Sequence, residues 1–462
     1  MTTDYTQKTV FFVVVTRGRV NFILRSDLFR ILKGRGWRLV IISPFIGQSA
    51  FQEEFGGPNV FFEPLKRMGR WAKRLSYIRS AAMEAGHPTL KEALRIHDLV
   101  TFRFRRPPSL RTRLSSVFIR LCVMLLPTPL RRSQKWWEFV VGSAIPASTA
   151  KEYFKKYNPD VVVLGSAGAE GEDVPYIIAG NRYGVPTIAV DSNIDAATYR
   201  YFSAPWRVRY WALFGEPQKK EFADLHHIPE ESMVTTGALR YDRYFKGITV
   251  LSRDVFCKKI GVDPGKRIVT LSPRSPLVFP HNEEIITMIL EAIRGGAYGN
   301  VELFVRFDPG HPLSVYDEIF LKSFHFERAE DAPDEEHIAN LLAHSDVFLG
   351  LGATTLAIEA CAVGTPAAWI GFDGKTVFGD PTDYSRLQYD VSVFQRLIKS
   401  GGIPLLENKE QLLRQIDIFL RDVSTNKDKR LAMLRGEYAN AEDGKAGERI
   451  VEFVDRILTR RE

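Results

Sequence analysis

The sequence predicts an α/β fold built twice over: two doubly wound parallel domains facing across a cleft, with a basic helical insertion in the first. Three observations carry that expectation. The chain has 462 residues, more than one hydrophobic core ordinarily serves, so two domains of about 200 residues each are expected. Apolar runs of strand length alternate with helix-length segments, and this pattern starts near residue 10 and restarts near residue 267. Such alternation marks parallel strands joined by crossover helices. Late in the chain, 340–372 reads NLLAHSDVFLGLGATTLAIEACAVGTPAAWIGF, in which a helix ending at Ala343, a strand over 347–349, a tight loop over 350–355, a helix and a second strand follow one another.

Residues 10–16 (VFFVVVT) read as a buried parallel strand. A helix over 22–32 follows, with Asn21 as its cap and Gly34 and Gly36 as stops, and then a strand over 38–43. The sheet resumes with a strand over 160–164 (DVVVL), a helix over 175–183 and a strand over 187–191. A strand over 208–214, a helix over 216–226 and a strand over 233–236 complete the half, which ends at Gly237-Ala238-Leu239-Arg240-Tyr241-Asp242. Residues 246–263 read as a bridge.

The second half opens with a strand over 267–271, a loop over 272–282, a helix over 283–294 and a strand over 301–306. A loop over 307–312, a helix near 315–321 and the 340–372 segment come next, and helices over 409–422 and 446–458 close the chain. The expected division is a first Rossmann-like domain at 1–245, carrying an insertion at 66–150, and a second at 246–440. Residues 441–462 are expected to pack back on the first.

A hydrophobic content of 45% beside 26% charged residues is that of a folded protein. Cys122, Cys257 and Cys361 are scattered, so neither a disulfide framework nor a zinc pattern follows, and a reducing cytosol is the simplest setting. The run 10–15 is followed by Arg17 and Arg19 instead of a cleavage site, and no stretch of about 18 apolar residues occurs.

The net charge of +8 is unevenly spread. Residues 66–135 hold 17 Lys and Arg against Glu84, Glu92 and Asp98, which leaves +14 there and −6 elsewhere. Arginines alternate with aromatics, as in Phe102-Arg103-Phe104-Arg105-Arg106, and 114–130 is apolar apart from Arg120 and a few small polar residues. A helix of this kind, flanked by Arg111, Arg113, Arg131, Arg132 and Lys135, suits the plane of an anionic membrane surface, with residues 66–137 as the contact. A helical insert packed on its own domain is the alternative; nucleic acid is disfavoured, because no nucleic-acid module accompanies the charge.

Small residues between a strand and a helix free backbone amides to face an anion. Gly352, Ala353, Thr354 and Thr355 are such residues, although Thr355 stands where a dinucleotide fingerprint has its third glycine. Ligands of an open parallel sheet lie outside the carboxyl ends of its strands. By that rule Ser272 and Arg274, then His311, then Gly352–Thr355 converge, with Arg274 and His311 supplying charge to a diphosphate and Glu359 accepting from ribose hydroxyls. In the first half, carboxylates at strand ends are candidate general bases: Asp191 first, then Glu170, with Glu172 and Asp173 beside it. Ser166 and the pair Arg17 and Gly18 are candidates for holding an acceptor.

The pattern S-D-x-x-L-G-x-G-x-T-x-x-x-x-E-A-x-x-x-G-T-P, carried by Ser345, Asp346, Gly350, Gly352, Thr354, Glu359, Ala360, Gly364, Thr365 and Pro366, resembles that of GT-B glycosyltransferases. The segment 211–242, with W-x-x-x-G-E-x-x-K and T-G-A-x-R-Y-D, is similar to bacterial surface-polysaccharide transferases of that fold. The loop from Arg306 to His311-Pro312 is similar to CDP-glycerol glycerophosphotransferases and Kdo transferases.

The resemblance implies transfer of a sugar from a nucleotide-sugar donor to a lipid-linked or surface-glycan acceptor, at the inner face of the plasma membrane. No D-x-D occurs, so a metal-free site is expected, and the nucleotide sugar is substrate, not cofactor. Three departures leave alternatives open. Leu351 stands where the retaining pattern has a glutamate, and Asp191-Ser192-Asn193 where glycerophosphotransferases have His-Gly. The H-V-E-A-G segment of the non-hydrolysing UDP-GlcNAc 2-epimerases has no counterpart. A glycerophosphate transferase, a nucleotide-sugar 2-epimerase and a non-catalytic scaffold are the other readings.

Overall fold

The computed structural model describes residues 7–66, 121, 125–132, 148–168, 171–190, 193–199, 207–246, 250–274, 276, 281–308, 311–329, 331, 335–372, 388–440 and 442–460. They form two compact units. One holds the described residues up to Asp242 together with those from Glu437 onward, and the other holds those of Arg243–Gly436.

The first unit is built on seven parallel strands: β1 (Thr9–Val13), β2 (Arg38–Ser43), β3 (Val60–Pro64), β4 (Val161–Leu164), β5 (Thr187–Val190), β6 (Tyr210–Leu213) and β7 (Met233–Thr235). Their order is β3-β2-β1-β4-β5-β6-β7. The inner strands are nearly continuous Val, Ile, Leu and Phe because both faces are covered. Phe11, Val13, Val162 and Leu164 pack on one face against helices Ser148–Tyr157 and Val174–Tyr183. Val10, Phe12, Val161 and Val163 pack on the other against helices Asp27–Gly34 and Ala446–Thr459.

The T-G-A-x-R-Y-D stretch is where the last helix docks. The Asp242 carboxylate accepts the amides of Ala446 and Gly447 at 2.8 and 2.7 Å, filling two of the places left open at a helix N-terminus. Arg449 Nε donates to the Thr236 carbonyl at 2.7 Å. Gly447 is obligatory, since a Cβ there would stand 2.9 Å from Asp27 Cβ and from the Leu28 nitrogen.

The second unit has six parallel strands: β8 (Arg267–Ser272), β9 (Val301–Phe307), β10 (His325–Arg328), β11 (Val347–Leu351), β12 (Ala367–Ile370) and β13 (Leu405–Leu406). They run in the order β10-β9-β8-β11-β12-β13. Val269, Leu271, Val305, Leu349 and Ile370 form its core with helices Asn282–Arg294 and Lys409–Arg421.

Several expected elements differ. The helix expected over 22–32 is two pieces: a π-helical turn, Val20–Leu24, and a helix, Asp27–Gly34. Ser26 Oγ donates back to the Ile23 carbonyl at 2.6 Å and closes the first piece, so Asn21 lies inside the turn and caps nothing. The bridge over 246–263 contains helix Arg253–Ile260, whose Phe256 and Cys257 pack on Ile268, Phe304 and Leu341 of the second unit. The helix near 315–321 is a 3-10 turn, Leu313–Val315, followed by the single-turn helix Glu318–Leu321, capped by Asp317. Gly350 and Leu351, expected in a loop, end strand β11. Helix Ser49–Phe55, β3, β10, β13 and helices Ser392–Ser400 and Lys427–Glu437 were not anticipated. Most of the basic insertion lies outside the described residues; among these, no helix is long and apolar enough to cross a membrane.

Candidate functional site

In the second sheet the strand order reverses beside β8, with β9 on one side and β11 on the other, and ligands of doubly wound sheets sit at that switch point. The loops that follow these three adjacent strands hold every donor-side residue expected from the sequence except Ser272 and Glu359. Ser272 is the buried last residue of β8, in register with Gly350. Glu359 lies in helix Leu356–Ala362.

Arg274 is half-buried, and the loop carrying it is fixed by Asn282, whose side-chain amide donates to the Arg274 carbonyl at 2.8 Å. Arg274 Nη2 lies 3.5 Å from Gln388 Oε1. Asp308 follows β9, and burial pushes its carboxyl above the usual range against the pull of Arg274 and Arg306. Arg306 is itself locked in an ion pair with Glu327, whose second oxygen meets His337 Nε2 at 2.6 Å. His311 is 3% exposed. Its Nε2 meets the Tyr316 hydroxyl at 2.9 Å, and its ring stacks on Tyr316 and leans on Phe307.

The glycine turn is closed on itself more than the sequence suggested. Gly352 has φ +80, which requires glycine. Its amide donates to the Ile370 carbonyl at 3.3 Å, that of Ala353 to Gln388 Oε1 at 3.3 Å, and that of Thr354 to the Gly352 carbonyl at 2.8 Å. The Thr354 carbonyl accepts from Trp369 Nε1 at 3.1 Å. Thr355 precedes helix Leu356–Ala362, which has only 7 residues. Glu359 is buried, and the Tyr244 hydroxyl donates to its Oε2 at 2.5 Å. The amides of 352–354 are therefore engaged by protein, and Gln388 Oε1 links the turn to Arg274. Gln388 and Tyr244 carry no sequence signal, being 35 and 115 residues from their partners. Asp308 could have been found, since it begins the loop that contains His311.

In the first sheet the order reverses between β1 and β4. Arg17 is exposed, 6.0 Å from the Phe45 ring centroid, and Gly18 is uncrowded. The buried Arg19 packs on Gly165, where a Cβ would stand 3.0 Å from Arg19 Cδ. Ser166 is buried and donates to Asp173, which also accepts the Gly168 amide at 2.9 Å. Ser166 thus shapes its own loop, together with the left-handed Ala167 and Gly168 (φ +49 and +89). Asp191 and Glu170 lie outside the described residues. Among the described residues no cluster of three metal-ligating side chains occurs.

No family model and no curated sequence matches this chain. Solved structures do. A UDP-GlcNAc 2-epimerase from Neisseria meningitidis, bound to UDP-GlcNAc, matches with TM-score 0.57 at 11% identity over 97% of this chain and 100% of its own. A glycosyltransferase from Rickettsia africae matches with TM-score 0.53 at 14% identity over 98% and 99%. The wall teichoic acid polymerase TagF matches with TM-score 0.54 at 9% identity over 98% and 90%. The fold is GT-B. At such identities the likeness is one of architecture, and it covers the two Rossmann-like sheets that define the GT-B fold.

Proposed function

We propose that this GT-B protein is an enzyme of nucleotide-sugar chemistry. In this reading it transfers a sugar from a nucleoside-diphosphate donor, seated at the switch point of the second sheet, to a glycan or lipid-linked acceptor. The observation that carries the reading is the placement of Arg274, Asp308 and the Gly352–Thr355 turn after three adjacent strands. Breaking a glycosyl–phosphate bond leaves charge on the diphosphate, and a fixed cation aimed at that charge favours the transition state. Arg274 is that cation. Burial shifts the Asp308 carboxyl towards its neutral form, which lessens its repulsion of a phosphate. Glu359, oriented by Tyr244, is the proposed acceptor for ribose hydroxyls. Arg17, Gly18 and Ser166 stay as acceptor-side candidates, with Asp191 or Glu170 as general base. The basic stretch 66–137 is the proposed contact with an anionic inner membrane face, and the mechanism needs no cofactor and no metal.

A second reading is nucleotide-sugar 2-epimerisation, since solved epimerases share this fold as the transferase and the polymerase do. Sugar transfer and a CDP-glycerol-type transfer both need an acceptor, which epimerisation does not, and the two transfers differ in the donor consumed. Purified protein is incubated with UDP-, GDP- and CDP-linked donors, with and without membrane lipid extract, and followed by phosphorus and proton NMR. Release of nucleotide only with acceptor supports transfer. Change of the sugar without acceptor makes the protein an epimerase, and donors untouched under both conditions contradict an enzymatic role.

A further inference from the structure

Gln388, just ahead of helix Ser392–Ser400, is 4% exposed and makes an unusual pair of contacts. Its Oε1 faces two donors at once, the Ala353 amide at 3.3 Å and Arg274 Nη2 at 3.5 Å. Both exceed the ordinary N–H···O length of about 2.9–3.0 Å. Its Nε2 is buried and has no partner among the described residues. Turning the amide over would not help, since it would set an NH2 group against two donors, so the contacts themselves fix the assignment. One neutral oxygen thus serves a guanidinium and a backbone amide, both poorly, while a buried NH2 goes unused. Such an unused group carries a desolvation cost.

We propose that Gln388 is a placeholder for the ligand: its Oε1 stands where an oxygen of the diphosphate sits, and it is displaced when that oxygen arrives. This rests on the reading of the site given above. A phosphate oxygen shortens both contacts, because charge-assisted hydrogen bonds run at about 2.7–2.9 Å. Rotation of the displaced amide then lets Nε2 donate to the ligand. Gln388 is therefore a positioning residue that changes from acceptor to donor on binding, and it keeps Arg274 held while the site is empty.

The test uses the full chain, with UDP and inorganic pyrophosphate as probes, by isothermal titration and by thermal melting of the ligand-free protein. Gln388→Glu supplies a carboxylate that pairs with Arg274 and cannot donate; it is expected to melt no lower than wild type and to bind both probes more than about tenfold more weakly. Gln388→Met preserves volume and removes both functions; it is expected to bind about two- to tenfold more weakly, the worth of one hydrogen bond. A folded Gln388→Glu protein that binds as wild type overturns the placeholder, as does a Met variant weaker than the Glu variant. Arg274→Ala separates the two levels: unchanged binding in that variant refutes the site itself. Loss there with unchanged Gln388→Glu binding refutes only the placeholder. Wild type that binds neither probe refutes both.

Discussion

Gly350 and Thr354 are in contact so close that no side chain fits between them: a Cβ on Gly350 would lie 2.3 Å from Thr354 Cγ2. Gly350 is thus demanded by the packing of the end of β11 against the turn that follows it, with the Thr354 methyl as the nearest obstacle. Gly350→Ala is expected to destabilise the protein by about 1–3 kcal/mol, the usual range for overpacking. Thr354→Ser removes the methyl and is expected to restore most of that loss in the double variant. Urea unfolding of the two single variants and the double checks it; simple additivity would contradict the contact.

Asp242 holds the first turn of helix Ala446–Thr459 with both carboxylate oxygens. Asp242→Ala leaves two amides without an acceptor and is expected to cost about 2–4 kcal/mol. Asp242→Asn retains one acceptor oxygen and should lose about half as much. Hydrogen exchange of 446–450 is the local readout, with faster exchange expected in the Ala variant than in the Asn variant.

Asp308 gives a pH dependence with a definite sign. Because burial raises its carboxyl in the folded state, the protonated form is the one folding favours. The stabilisation this brings is complete below the ordinary carboxylate range and is lost as pH rises through the raised value. Asp308→Asn is therefore expected to melt higher than wild type at neutral pH, with the gap closing on acidification to the ordinary range. Melting curves of the two proteins from acid to neutral pH check it. A gap that widens towards acid would contradict the assigned direction.

Cys257 and Cys361 are buried, and burial raises both thiols, Cys361 to about 12. Thiolate is the reactive form, so neither is expected to react with iodoacetamide at neutral pH until the protein is unfolded. Peptide mass spectrometry before and after denaturation checks this; rapid native labelling of Cys361 would contradict its burial.

Strand β2 and helix Glu216–His226 were legible to the residue. The first is buried from Leu39 to Ser43, and the second has Gly215 ahead of it and a proline in its first turn. Edge strands β3, β10 and β13 were not, because β3 and β10 consist mostly of partly exposed residues and β13 has only 2 residues, whereas edge strand β7 was expected over 233–236. The N-terminal helix was misread because Phe22, Ile23 and Leu24 are all buried, which masks the break that Ser26 introduces. At the site, the strand ends located Arg274 and the glycine turn. The occupation of the turn's amides, and the Gln388 and Tyr244 side chains, depend on pairings between distant segments that no local pattern records.

Titration of UDP into wild type and Arg274→Ala by isothermal calorimetry tests the central claim, that the switch point of the second sheet holds a nucleoside diphosphate. Loss of a hydrogen bond to a charged group is worth about 1.5–3 kcal/mol, so the variant is expected to bind about ten- to a hundredfold more weakly while melting near wild type. Equal affinities in the two folded proteins would contradict it.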